Sequence, residues 1–179
     1  MTRPTLRTTR LTLRPFTLDD APAVQRLAGA YEVALNTLLV PHPYPDGAAE
    51  AWIDTHQDDF DANRLHTFAI DDGALVGAIG LVMKGDGIAE IGYWIGVPFW
   101  NRGYTTEAAI EIIRYGFEDA GLERVFAGYF ARNEASGRVM QKVGMTYEGT
   151  LRRHAVKWGE RLDVVYYGIL REEWAARRR

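Results

Sequence analysis

The chain has 179 residues and a mass of 20.2 kDa, with 47% hydrophobic and 25% charged positions, which suits one domain built around one core. It contains no cysteine, so disulfide frameworks, thiolate nucleophiles and Cys-containing zinc sites are excluded, and His42, His56, His66 and His154 are too scattered for a local metal pair. A net charge of -3, the lack of an apolar leader and the lack of any apolar run of about 18 residues argue against a general nucleic-acid binder, an exported protein and a membrane-spanning one; a cytoplasmic protein is expected.

Leu6 to Phe16 alternates apolar and polar residues, predicting a half-buried strand that Pro15 ends near a sheet edge. Thr17-Leu18-Asp19-Asp20 offers caps for a short helix whose apolar stripe is Ala23, Val24, Leu27 and Ala28, stopped near Gly29. Prolines at 41, 43 and 45 make residues 41–47 a loop. A helix from Asp46 to Asn63 follows, with Ala49, Trp52, Ile53 and Phe60 inward. Leu65–Ile70, Leu75–Met83 and Ile88–Ile95 are strands joined by Asp-Gly turns, hence an antiparallel meander.

The pattern then becomes helix and strand in alternation. A helix over Thr105–Ala120 carries Ala109, Ile110, Ile113 and Phe117 on one face, with Thr105 or Thr106 as cap and Gly121 past its end. Arg124–Phe130 is a strand, Asn133–Val143 a helix with Val139, Met140 and Val143 inward, and Met145–Ala155 and Leu162–Leu170 are strands. Strand, helix, strand between 88 and 130 is a crossover, so one parallel pair sits in an otherwise antiparallel sheet. The fold class is mixed α/β (α+β). Residues 175–179 read as a solvated tail.

The stretch from Ile91 to Ala108 carries the chemistry. A strand enters a short loop with Arg102 and Gly103, and the loop opens a helix at Tyr104-Thr105-Thr106, a geometry that aims unpaired N–H groups and the helix dipole at one spot and suits a diphosphate. The alternative is a tight connection of no chemical importance. Neither a P-loop nor a dinucleotide fingerprint is present.

This run resembles the acyl-CoA-binding motif of the GNAT superfamily of N-acyltransferases, and more closely the ribosomal-protein N-terminal acetyltransferase (Rim-type) branch. Thr9-Arg10-Leu11-Thr12-Leu13-Arg14-Pro15, Gly92-Tyr93-Trp94-Ile95, Gly103 to Ala108, Asn133-Glu134-Ala135-Ser136, Lys142-Val143-Gly144-Met145 and Gly159 to Trp174 carry the likeness over nearly the whole chain. It implies a single GNAT domain over residues 1–179, a mostly antiparallel sheet of roughly six to seven strands flanked by helices on both faces, and acetyl-CoA as cosubstrate without a metal. Amides from Phe99 to Thr106 then hold the diphosphate, including those of Asn101, Arg102, Gly103, Tyr104 and Thr105, and main chain at Trp94, Ile95 and Val97 pairs with the pantetheine arm like an added strand. The family loop usually reads Gln/Arg-x-x-Gly-x-Gly/Ala, and this chain places Pro98 and Asn101 at the first two of those positions. Asn tolerates left-handed backbone angles, so Asn101 is expected to keep the loop shape at some cost in cofactor binding.

Acetyl transfer needs a neutral amine, a polarised carbonyl and support for the departing thiolate. An α-amino group with pKa about 7.7–8.0 is partly neutral at pH 7, whereas a lysine near 10.4 needs roughly 4 kcal/mol of help. Glu90 is the candidate base, against an exposed strand carboxylate as the plain alternative, and His154 is a second, read as a partly buried side chain. In Asn133-x-x-Ser136 the asparagine caps a helix; the resemblance gives Asn133 a contact to pantetheine and Ser136 a hydrogen bond to the sulfur, the alternative being an ordinary cap and a neutral serine. Backbone N–H groups near Ile95 are expected to receive the carbonyl oxygen. Arg102, Arg138 and Lys142 are candidates for the adenosine phosphates, His42 and Tyr44 for the acceptor pocket. Acidic residues of the Asp46 helix either draw a cationic acceptor or form a solvated face. The acceptor expected first is a protein α-amino terminus, with small amines, amino acids and aminoglycoside-like compounds behind it. A non-catalytic acyl-CoA sensor and a nucleic-acid module on Arg3, Arg7, Arg10 and Arg14 are the alternatives; no membrane or nucleic-acid partner is expected, and a homodimer stays open.

Overall fold

The computed structural model describes residues 2–177. Eight strands form one sheet in the order β1-β2-β3-β4-β5-β6-β8-β7. The elements are β1 (Leu6–Arg7), β2 (Thr12–Arg14), α1 (Ala21–Ala28), α2 (Tyr31–Leu35), α3 (Ala48–Asp54), α4 (His56–Asp61), β3 (Leu65–Asp71), β4 (Leu75–Gly85), β5 (Ile88–Ile95), α5 (Tyr104–Glu118), β6 (Arg124–Phe130), α6 (Glu134–Lys142), β7 (Thr146–Lys157), β8 (Glu160–Leu170) and α7 (Arg171–Ala176). All neighbouring strands are antiparallel except β5 and β6. The mixed class and the helices on both faces are those expected, with one strand more than the upper expected number.

That extra strand arises because Leu6–Phe16 is two strands. The Thr8 hydroxyl accepts from Leu11 N–H at 2.9 Å while the Thr8 N–H reaches the Leu11 carbonyl, closing a turn that folds Leu6 back onto Leu13. The Asp46 helix is likewise two pieces. Thr55 divides α3 from α4, and its hydroxyl donates to the Trp52 carbonyl, a side-chain bond that competes with helix continuation. On α5, Ile112 is buried where Ile110 was expected, and Ile110 is 43% exposed. At the chain end, Ala175 and Ala176 belong to α7, which Trp174 anchors, and Arg177 packs on Gly144; of the expected tail, residues 178 and 179 lie outside the described residues.

The core is divided by the sheet. The larger part joins Ala89, Ile91 and Ile95 of β5 and Val125 and Ala127 of β6 to Ala108, Ala109, Ile112, Ile113 and Phe117 of α5 and Met140 of α6. Each of the fully buried isoleucines contributes about 1.5–3 kcal/mol. The smaller part, on the opposite face, joins Phe16 to Val24, Leu27, Ala49 and Ile53, with Trp94 of β5 against it. Successive β5 residues thus serve opposite layers, as the two-residue period requires.

Candidate active site

Between β5 and α5 the chain makes a short helical turn at Val97–Phe99, and the Trp100 indole N–H donates to the Ile95 carbonyl at 2.8 Å. Asn101 (φ 61°) and Gly103 (φ 79°) are both left-handed. Asn101 keeps the backbone shape expected of it. Gly103 occupies the cap position of α5 and no side chain caps that helix. The expected cap from Thr105 or Thr106 does not form, because both lie inside the first turn. Their amides, with those of Gly103 and Tyr104, face outward without a side-chain acceptor. The Arg102 guanidinium lies 5.5 Å from the Phe99 ring centre, and the Tyr104 hydroxyl donates to Asp72.

Next to this loop the sheet opens. β5 and β6 pair only at Ile88–Arg124, Ala89–Val125 and Glu90–Phe126, whereas β5 continues along β4 to Ile95 and β6 continues along β8 to Phe130. The Gly96 N–H bonds to Val76. By the two-residue period Trp94 therefore pairs with β4, and the main-chain groups of Ile91, Tyr93 and Ile95 turn to the parting. Ala131 N–H bonds to Asp163 on the far side, which turns Gly128 toward the same space. Of the expected pantetheine contacts, then, Ile95 presents its N–H to the gap, while the main chain of Trp94 is engaged.

The first turn of α6 closes one side of the gap. Asn133 caps α6, its side-chain oxygen accepting from Ser136 N–H at 3.4 Å, and Ser136 is buried. The Ser136 Oγ lies 2.6 Å from the Tyr93 hydroxyl. Burial pushes the Tyr93 phenol up to about 12; the Ser136 hydrogen bond works against this and Tyr129 adds to it. Tyr93 therefore stays protonated at neutral pH, and either hydroxyl of the pair can donate to the other. Tyr129, on β6, stands across the gap: a Cβ on Gly137 would meet its hydroxyl oxygen at 2.5 Å, so only glycine lets α6 approach this closely. Three hydroxyls, from β5, β6 and α6, converge here. The sequence singles out Ser136 and assigns Tyr93 no role, although odd-position alternation with Ile91 and Ile95 places it on the α6 face.

Glu90 lies on the other face of β5, with its carboxylate 2.8 Å from the Lys84 ammonium. It raises the pKa of Tyr166, after burial the next cause. His154 is exposed, not partly buried; it falls in the 152–154 bulge of β7, edge-on to Tyr166 at 6.1 Å. His42 donates through Nδ1 to the Gly29 carbonyl and packs with Tyr31 and Trp158, and Tyr44 packs on the α1 layer. Arg138 pairs with Glu134 at 3.5 Å. Lys142, at the opposite end of α6 from Ser136, lines a groove with Ile110, Glu111 and Trp174. In the acidic stretch, Asp46 accepts from Gln25 and Asp59 pairs with Arg64. Arg10 and Arg14 are engaged with Glu107 and with Asp20 and Asp71, so they form no free basic patch. Among the described residues, no three His, Asp or Glu side chains are placed to share a metal, and no helix is long and apolar enough to cross a membrane.

The acetyltransferase (GNAT) domain profile matches residues 10–146. The chain belongs to the GNAT acetyltransferase family. It is similar to YnaD of Bacillus subtilis (strain 168), an uncharacterized N-acetyltransferase, at 33% identity over 173 residues, covering 93% of this chain and 97% of YnaD. AaaT of Escherichia coli (strain K12), an L-amino acid N-acetyltransferase, is 26% identical over 160 residues, covering 87% and 95%. A crystal structure of a GNAT-family acetyltransferase from Bacillus anthracis superposes with a TM-score of 0.84 at 26% identity, covering 94% of this chain and 99% of that one. Membership makes the GNAT chain an acyltransferase with acetyl-CoA as donor, which replaces the sensor alternative.

Proposed function

We propose that the protein, as one domain over residues 1–179, transfers acetyl directly from acetyl-CoA to an α-amino group, first of all that of a protein terminus, as in the Rim-type branch its motifs resemble. The observation that carries this reading is the parting of β5 from β6 after Glu90, beside an uncapped α5.

The residues present fit the donor. Amides from Asn101 to Thr106, shaped by the left-handed Asn101 and Gly103, would hold the diphosphate, whereas the expected Phe99 amide, like that of Trp100, is taken by the carbonyls of Gly96 and Val97. Ile95 and Val97 would pair with the pantetheine arm, Asn133 would contact it, and Arg102 and Arg138 stand nearest for the adenosine phosphates. Lys142, at the far end of α6, is assigned no contact. Acetyl-CoA supplies a thioester carbonyl for the amine to attack and a thiolate that leaves.

When Ser136 accepts from Tyr93, its own proton is left to face the sulfur. A thiol near 8.5 facing a phenol near 12 makes proton transfer from Tyr93 uphill by about 5 kcal/mol, so the pair steadies the thiolate by hydrogen bonding. Glu90 is the carboxylate closest to the point of parting. Its pairing with Lys84 suits guiding an amine already about one-tenth neutral at pH 7 more than stripping a lysine.

The second reading is a free amino acid or small amine as acceptor, favoured by the likeness to AaaT. Thiol release from acetyl-CoA tests both, using peptides with free and with blocked α-amino termini beside amino acids and polyamines. Turnover of free-terminus peptides, with blocked lysine-containing peptides inert, is expected. Release with lysine side chains or polyamines alone overturns the α-amino assignment, and absence of calorimetric heat with coenzyme A overturns the donor site.

A further inference from the structure

α5 opens with a contradiction. Glu107 puts a carboxylate in the first turn of the helix whose N-terminal amides are read as a diphosphate site, where a second negative charge repels the ligand. The structure resolves it with a residue 97 positions earlier. The Glu107 carboxylate accepts from the Thr8 hydroxyl at 2.6 Å, the Arg10 backbone N–H at 2.8 Å and the Arg10 Nε at 2.7 Å, and Arg10 Nη2 lies 2.7 Å from Oε2. Burial opposes ionisation of Glu107, but these donors outweigh it and hold the carboxyl below its ordinary value.

Arg10 does more than neutralise. Its Nη1 donates to the Arg102 carbonyl at 3.0 Å, its guanidinium lies 5.0 Å from the Tyr104 ring centre, and its Nη2 lies 3.4 Å from where a Cβ on Gly103 would be. One side chain thus touches positions 102, 104 and 107 and passes beside 103, where the chain is left-handed. The turn that presents Arg10 is itself fixed: Thr8 and Leu11 close it, and Leu11 is buried in the main core.

We propose that Arg10, acting with Glu107, is a positioning residue for the diphosphate loop. It fixes the loop backbone and cancels the Glu107 charge, so acetyl-CoA affinity depends on the β1–β2 turn while the acetyl-transfer step does not. The proposal rests on the reading that amides 101–106 hold the diphosphate.

The test compares acetyl-CoA with S-acetylpantetheine, which carries the same thioester but no diphosphate or adenosine. For Arg10→Gln, KM for acetyl-CoA rises about tenfold with kcat within about twofold, and kcat/KM for S-acetylpantetheine is unchanged. Arg10→Lys, which keeps charge but cannot reach Glu107 and the Arg102 carbonyl together, falls between, and Arg10→Gln/Glu107→Gln is no worse than Arg10→Gln alone. If Arg10→Gln does not fold, Arg10→Lys and Glu107→Gln carry the comparison. A change in acetyl-CoA KM below about twofold, or equal loss with both donors, overturns the role. Wild type separates the two readings: if it prefers acetyl-CoA no more than S-acetylpantetheine, the diphosphate site itself fails; if it does prefer it and the variants keep that preference, only the Arg10 role fails.

Discussion

The two layers that flank the sheet are held in different ways. On the donor side α5, 15 residues long, lies on an aliphatic floor and is fastened by charge through Arg10 and Glu107. On the other side four helices of five to eight residues cover Phe16 and Trp94, and His56, edge-on to Phe16 and Trp52, has no hydrogen-bond partner on either ring nitrogen. Short helices have little stability of their own and depend on tertiary packing. The α5 layer is thus fastened by charge as well as by packing, and the layer of short helices depends on packing alone and is more easily altered.

Acid should expose that weakness most. Burial, reinforced by Arg3 and opposed by Asp59, lowers the His56 pKa to about 4. The unfolded chain takes up this proton first, so the stabilisation is complete above about pH 6.5 and is lost as pH falls toward 4, a loss of about 3 kcal/mol. Urea denaturation of wild type and His56→Phe at pH 7 and pH 4 checks this: the variant should show a smaller acid loss by that amount, and equal losses would mean His56 is not the acid-sensitive point.

On the donor side Ser136→Ala is expected to lower kcat about a hundredfold with acetyl-CoA affinity nearly kept, since one donor to developing charge is removed. Tyr93→Phe, which only disorients that donor, should cost about fivefold. Steady-state kinetics decide, and a Tyr93 effect exceeding that of Ser136 would reverse their roles. Gly103→Val places a β-branched residue at φ 79° beside Arg10 and should weaken coenzyme A about tenfold by calorimetry; full affinity would contradict the loop. Glu90→Gln should have the smallest effect, about a threefold fall in kcat/KM for the amine with acetyl-CoA KM unmoved, because its charge is already balanced by Lys84. An unmoved amine kcat/KM would leave Glu90 as an ordinary strand carboxylate.

The same contrast explains what could be read in advance. The meander, α5, α6 and the crossover were legible because Asp-Gly turns, Asn133, Gly121 and apolar periodicity are local signals. Asn133 was legible as a cap from the residues alone, whereas Ser136 was singled out by the family resemblance. The division at Thr55, the turn at Thr8, the exposure of His154 and the Lys84–Glu90 pair were not, since each depends on a side-chain bond or a bulge set by the folded sheet. Tyr93 lay between: strand alternation gives its face, but only the approach of α6 over Gly137 brings the serine to it. Arg10 looked like part of a basic stripe until Glu107, distant in sequence, claimed it.

The parted strands have a consequence beyond catalysis. The main-chain groups of Tyr93 and the Ile95 N–H lack a partner strand, so on the proposed reading a donor that pairs with them completes the sheet and is bound by the native state alone. At a donor concentration a hundred times the dissociation constant this adds about 2.7 kcal/mol to folding stability. Withdrawing the donor would then remove that increment.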